Sequence, residues 1–357
     1  MAIALVACDE APATDSATGS ETGTGATNDA STDSANGSTS SATDDANMIP
    51  ADKVSNKVIA IDQIKERLVI YDFDNFEDGD ILEDLEVWDT KITHAAGVKF
   101  REDTVFGDVI IVAGNRSQII EYPSGKEIWG TNNPGNNSHS IEILPSGNIV
   151  IANSTGNSLR FFAASAILKG DTAGAQKYVD YELSGAHGVL WDPEYDVLWG
   201  LGNYDMNAYS IEGEGTDETL VLNPDMGTNF KGLVSGSGHD LQPDYTDTRY
   251  LYFTAGPVYR YDKEKNEVLT SFPYASAFKQ PEVKGFSNNE NDKFFATGEL
   301  GGKGKFFASS SKESWLTDTI IFYYKEAKRG KVSMKSIQAV SEASAFYKVR
   351  SFTGTYQ

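Results

Sequence analysis

The chain has 357 residues and a formal net charge of −22, from 52 acidic against 30 basic side chains. That balance excludes nucleic acid as a partner, because such binders need a basic face to neutralise phosphates. One cysteine, Cys8, excludes an internal disulfide framework.

In chain order, residues 1–8 end in Leu5-Val6-Ala7-Cys8, which resembles a bacterial lipobox. The resemblance implies a truncated lipoprotein signal, a lipidated Cys8, and anchoring at the extracellular face of a bacterial membrane. Residues 9–50 are almost wholly Ser, Thr, Gly, Ala, Asn and acidic residues. Such a stretch buries too little apolar area to offset its ordering entropy, so it reads as a disordered acidic tether. Residues 51–357 read as one large all-β domain, a size that such domains reach without splitting.

From Lys57 onward, alternating apolar residues and β-branched or aromatic runs dominate. The chain contains only four histidines, and each precedes such a run. They are His94 in Thr-His-Ala-Ala-Gly-Val, His139 in Ser-His-Ser-Ile-Glu-Ile, His187 in Ala-His-Gly-Val-Leu-Trp, and His239 in Gly-His-Asp-Leu-Gln. Successive histidines are 45, 48 and 52 residues apart. Repeats of roughly 40–50 residues with four strands each are the pattern of propeller blades. Lys284 and Lys335 continue the series after 45 and 51 residues. The expected fold is therefore a six-bladed β-propeller with an N-terminal disordered tether. Residues 301–315 read as an insertion in the Lys284 blade, with Gly301 to Lys305 a surface loop. The N-terminal runs at 57–61, 67–71 and 85–88 are expected to pair with 336–340 and close the ring.

In that fold the strand after each anchor lines the central channel, so the anchors converge at one mouth. The expected ligand-binding set is His94, His139, His187, His239, Lys284 and Lys335, with Gln63, Asn153 and Asn203 at the rim. Asp62, Asn115, Ser154 and Tyr204 belong to the same turns. Two chemistries suit the cluster. His139, His187 and His239 are a natural trio for Zn or Mn. Alternatively, the lysines would attract an anion such as a uronate, with imidazole as acid or base. A third reading gives the histidines a structural role, as in the Gly-His pairs of WD-type propellers. The partner is an anionic saccharide or other small molecule, the membrane is met only through lipidated Cys8, and the protein is read as a monomer. Whether the ligand is cleaved, by metal- or His-assisted elimination, or only bound stays open. So does a non-catalytic scaffold for protein or glycan contact.

From Lys57 to Val340 the chain resembles an uncharacterised family of bacterial six-bladed propeller lipoproteins. Asp62-Gln63, Ser138-His139-Ser140-Ile141-Glu142, Ala186-His187-Gly188-Val189, Gly238-His239-Asp240-Leu241 and Lys335-Ser336-Ile337 carry this resemblance. Ala186-His187-Gly188-Val189 is loosely similar to the His-Gly repeats of streptogramin lyases. The His-lined centre is similar in arrangement to peptidyl-hydroxyglycine amidating lyases, which hold zinc there.

Overall fold

A computed structural model describes residues 56–354, apart from 75, 78–79, 274, 280–282, 290–293, 299–315, 329–330 and 342–343. The expected signal at 1–8 with Cys8, the expected tether at 9–50 and the expected insertion at 301–315 lie outside the described residues.

The fold is an all-β propeller. Among the described residues, the strands form six four-stranded antiparallel sheets. The first contains β1 (Lys57–Asp62), β2 (Arg67–Asp72) and β3 (Glu86–Lys91). The second runs β4 (Ala95–Thr104), β5 (Gly107–Gly114), β6 (Ser117–Glu121) and β7 (Glu127–Thr131). The third is β8 (Ser138–Ile143), β9 (Ile149–Asn153), β10 (Ser158–Phe162) and β11 (Tyr178–Glu182). The fourth is β12 (Gly188–Asp192), β13 (Val197–Leu201), β14 (Asp205–Glu212) and β15 (Thr219–Asn229). The fifth is β16 (Asp240–Pro243), β17 (Tyr250–Thr254), β18 (Val258–Asp262) and β19 (Glu267–Leu269). The sixth is β20 (Val283–Asn288), β21 (Phe294–Gly298), β22 (Thr319–Lys328) and β23 (Lys331–Val340). Then β24 (Phe346–Ser351) returns to the first sheet and pairs with β1.

Inner strands are buried along their length, as in β8, β20 and β24, whereas the outer β11 is mostly exposed. The Val- and Ile-rich β1, β5 and β9 are second in their sheets and touch apolar layers on both faces. Those layers close a circle. Val58 and Val69 of the first sheet pack with Ile320 and Phe322 of the sixth. On their other face, Ile59 and Ile70 pack with Val98 and Ile110 of the second sheet. Further layers join the second sheet to the third, the third to the fourth, the fourth to the fifth and the fifth to the sixth. Inner strands approach so closely near the axis that a Cβ on Gly97 would collide with the His139 carbonyl.

The closing strand differs from expectation. Residues 336–340 do not pair with the N-terminal strands. They belong to β23, the outer strand of the sixth sheet, where Lys328 faces Lys331 in register with β22. Only Arg329-Gly330 separates these two runs, a spacing that favours a local hairpin over a long-range pairing. The closing run is Phe346–Ser351, whose Val349, Arg350 and Ser351 face Ala60, Ile59 and Val58.

Phe346 is fully buried, and its ring meets Tyr71 edge-on at 6.0 Å between centroids. Phe346→Ala should therefore weaken the closure, lowering stability by about 3–5 kcal/mol in urea unfolding followed by tryptophan fluorescence. An unchanged midpoint would mean that β24 contributes little to holding the ring shut.

Candidate functional site

The site is built by a repeated irregularity. At the channel mouth the register slips by one residue opposite His139, between Ser138 and Ser140. The same slip occurs at Ala96 and at Lys284. In β12 and β16, the N–H groups of His187 and His239 go to Leu201 and Thr254, the residues that Gly188 and Asp240 face. In β24 the irregularity falls between the partners Ala60 and Asp62, where Tyr347 sits. A bulge turns its extra residue out of the ordinary alternation. The register therefore aligns Ala96, His139, His187, His239, Lys284 and Tyr347 around the mouth.

Three imidazoles meet there. The His139 and His187 rings stack at 4.6 Å with an 18° interplanar angle, and His187 and His239 lie 4.9 Å apart. His239 Nε2 lies 3.1 Å from Lys284 Nζ. Tyr347 lies 5.7 Å from the His139 ring, on the side where the ring position is only Ala96.

Two of the tautomers are fixed by the loops. His187 Nδ1 is 2.7 Å from the Gly185 carbonyl and His239 Nδ1 is 2.9 Å from that of Ser237. A carbonyl only accepts, so Nδ1 carries the proton and Nε2 the lone pair. His239 Nε2 then accepts from Lys284. His139 differs because the equivalent carbonyl, that of Asn137, is taken by the Ser154 N–H and hydroxyl. Both ring nitrogens of His139 are buried without a partner. One is a donor and one an acceptor in the neutral ring.

Lys348 is the residue that sequence reasoning missed. It is fully buried and spans the channel beneath the imidazoles. Its Nζ donates to the His239 carbonyl at 2.8 Å and reaches that of His139 at 3.5 Å. Below it Asp240 takes Arg350 and, at 3.0 Å, the Phe286 N–H. Deeper still, Glu142 takes both prongs of Arg101, at 2.9 and 2.7 Å, and Lys99 at 2.9 Å. Burial pushes Lys99 down to about 8 despite the Glu142 carboxylate. Burial opposes ionisation of Glu142 too, yet Arg101 and Lys99 hold its carboxyl below the ordinary value. The signal for Lys348 was faint: two basic residues inside the run Phe346-Tyr347-Lys348-Val349-Arg350.

The other expected residues are placed as follows. His94 lies outside the imidazole stack, two residues before the ring position. Its φ of 51° matches Asn137 at 56° and Gly185 at 58°, so it occupies the left-handed position that also precedes the inner strands of the third and fourth sheets. Histidine is among the residues that tolerate this conformation. Lys335 lies on outer β23, facing Tyr324 in register, and its ring position is taken by Tyr347. Gln63 donates from Nε2 to the Ala95 carbonyl at 3.0 Å, while its Oε1 is buried without a partner. Asn153 accepts from the Ser138 hydroxyl at 2.7 Å, beside His139. Asn203 bridges the loops before His187 and His239 through its backbone N–H to Ser184 and carbonyl to Gly238. These three brace the mouth from behind the imidazoles.

The mouth thus offers lone pairs, N–H donors and an ammonium group. The near-parallel His139 and His187 rings meet face to face rather than aiming their nitrogens at one point. Among the described residues, no group of three His, Cys, Asp or Glu side chains is placed to hold a metal ion.

The model of a family of unknown function, DUF6528, matches residues 108–298, from β5 to β21 and across the three imidazoles. The chain belongs to this family. No curated protein sequence matches it. Among solved structures, a functionally unknown protein from Desulfotomaculum acetoxidans DSM 771 is 13% identical. It aligns over 81% of this chain and 97% of its own, with a TM-score of 0.48. A structure of the nidogen/laminin complex aligns over 82% of this chain and 97% of that one, at 9% identity and a TM-score of 0.50. A streptogramin B lyase structure aligns over 68% of each chain, at 13% identity and a TM-score of 0.41. The likeness to these structures concerns the propeller fold alone.

Burial depresses all three imidazoles, and neighbouring positive charge adds to the effect. His187 falls to about 4, with Lys348 the largest contributor after burial. Above pH 6.5 the ring is neutral folded or unfolded and contributes nothing to pH dependence. As pH falls from 6.5 to about 4, the unfolded chain takes a proton that the folded chain refuses, so stability is lost across that window. His187 alone should account for roughly 3 kcal/mol of the loss. Urea midpoints at pH 7 and pH 4.5 should differ strongly, and by less in His187→Gln. Equal slopes in both proteins would remove His187 from the account. Separately, Glu142→Gln leaves Lys99 and Arg101 without their carboxylate and should cost about 3–5 kcal/mol in the same assay at pH 7.

Proposed function

We propose that the chain is a six-bladed propeller that binds an anionic saccharide or similar small acid at the mouth formed by His139, His187, His239 and Lys284. The observation that carries this reading is His139, a buried imidazole with both nitrogens unpartnered, two rings away from the Lys284 ammonium. Leaving such groups unsatisfied is costly, so the site calls for a ligand or ordered water to complete it. A hydroxylated carboxylate supplies what is missing. Its anion suits Lys284, and its hydroxyls can accept from and donate to His139 and donate to His187 Nε2. If the glycan is cleaved by elimination, the unprotonated His187 Nε2 is the base this reading would use. Lipidation of Cys8 and a tether over 9–50 would place the mouth at the extracellular face of a bacterial membrane.

A divalent metal on the trio is the competing reading. The Nδ1–H locks on His187 and His239 favour it, because metal-bound imidazoles commonly donate their other nitrogen to a carbonyl. The Lys284 ammonium beside His239 opposes it. The two readings differ in pH dependence. An anion stabilises imidazolium, so its binding should tighten as pH falls from 6.5 towards 4. A metal competes with protons, so its binding should weaken over the same range.

Calorimetric titration of the full chain with oligogalacturonate checks the proposal. Lys284→Met and His139→Ala should each weaken binding about 10- to 100-fold. Retention of full affinity in both folded variants would reject the site. Elemental analysis of untagged protein after Zn and Mn supplementation decides the metal branch. About one bound equivalent supports it, and less than about 0.1 removes it.

A further inference from the structure

A second site lies inside the channel, on the far side of Lys348 from the mouth. Three residues after each ring position, the inner strands place Lys99, Glu142, Leu190, Gln242, Ser287 and Arg350. Among the described residues in this part of the channel, the positive side chains are Lys99, Arg101, Lys348 and Arg350. The carboxylates that meet them are Glu142 and Asp240. Lys99, Glu142, Asp240, Lys348 and Arg350 are all buried. Each of these carboxylates is thus shared by two cations. An uncompensated buried charge is strongly unfavourable, and proteins meet it with a partner ion.

The donors that await such an ion are specific. Arg350 donates from Nη2 to Asp240 and from Nη1 to the Val349 carbonyl at 3.1 Å, but its buried Nε has no partner. Gln242 lies two residues beyond Asp240, on the same side of β16. It is 2% exposed, and its Nε2 also has no partner. Two buried, unsatisfied N–H donors beside carboxylates that each serve two cations suit a small acceptor with no hydrogen of its own.

We propose that a halide ion, chloride in ordinary salt, resides in the channel between Arg350 and Gln242. It satisfies both donors and stabilises the closed ring. This does not depend on what the mouth binds.

The test uses the full chain. Crystals grown in bromide should show an anomalous peak within hydrogen-bond reach of Arg350 Nε and Gln242 Nε2. In solution at fixed ionic strength, replacing gluconate by chloride should raise the melting temperature by about 3 °C, rising with chloride concentration. Gln242→Glu would supply a fixed carboxylate, so that variant should lose both the bromide peak and the chloride dependence. A water in place of bromide, or equal melting in both salts, overturns the proposal. So does a bromide peak without any chloride effect in solution, which marks an adventitious ion only. Should Gln242→Glu fail to fold, the two measurements on the unaltered chain still decide.

Discussion

The structure depends on the one-residue slip at the head of each inner strand. A regular strand alternates its side chains between two faces. Here both faces are apolar interfaces with neighbouring sheets, as the Ile59 and Val58 layers of β1 illustrate. Regular alternation alone would bury the polar residues of β8 between sheets. The slip at His139 releases that residue towards the axis while Ile141 and Ile143 remain in the apolar layers. The same device gathers His187, His239 and Lys284 with it. A scattered set of polar residues thereby becomes one cluster, and the core between sheets stays dry.

The channel that results is a plug of charge rather than an open pore. Lys348, from the first sheet, reaches carbonyls of the third and fifth, so one side chain ties opposite sides of the ring. Burying an ammonium there is expensive, and the offset comes from carbonyls and from Asp240 at 3.7 Å. The arrangement fixes the chemistry of the mouth. Burial above all, and then the positive charge beneath them, discourages protonation of the imidazoles, while the Gly185 and Ser237 carbonyls fix the tautomers of His187 and His239. Closure and site are coupled, because β24 both completes the first sheet and carries Lys348.

Much of this was legible in the sequence, for a simple reason. His139, His187 and His239 share a residue type and a local pattern, and the polar-to-apolar switch after each marks an inner strand. Matching by residue type then misled at the ends of the series. His94 has the right type but lies two residues early. The true equivalent, Ala96, carries no chemical signature, and only strand register reveals it. Lys335 was reached by counting through the insertion at 301–315, where spacing loses its meaning. The strand Phe346–Ser351 escaped notice because Tyr347, Lys348 and Arg350 look like the wet face of an edge strand. In a channel that pattern has the opposite meaning, since the polar face is as buried as the apolar one. Hydrophobic patterning separates core from surface, but it does not distinguish water from a polar axis.

The ring of six positions is chemically lopsided, and the lopsidedness constrains any occupant. Three imidazoles and Lys284 fill consecutive positions from the third sheet to the sixth. The remaining two are Tyr347 and Ala96, which pack with Leu316 and Ala345. Because Ala96 is small, Tyr347 leans across its place to within 5.7 Å of His139. One half of the mouth therefore presents nitrogen donors and acceptors, and the other half an aromatic and aliphatic wall. A compact inorganic anion would use only the first half. A sugar acid has polar edges and flatter C–H faces, and it can engage both halves at once. The division of the ring thus suits the organic acid proposed for the mouth, while the unpartnered Arg350 Nε and Gln242 Nε2 suit the simple ion proposed deeper in the channel.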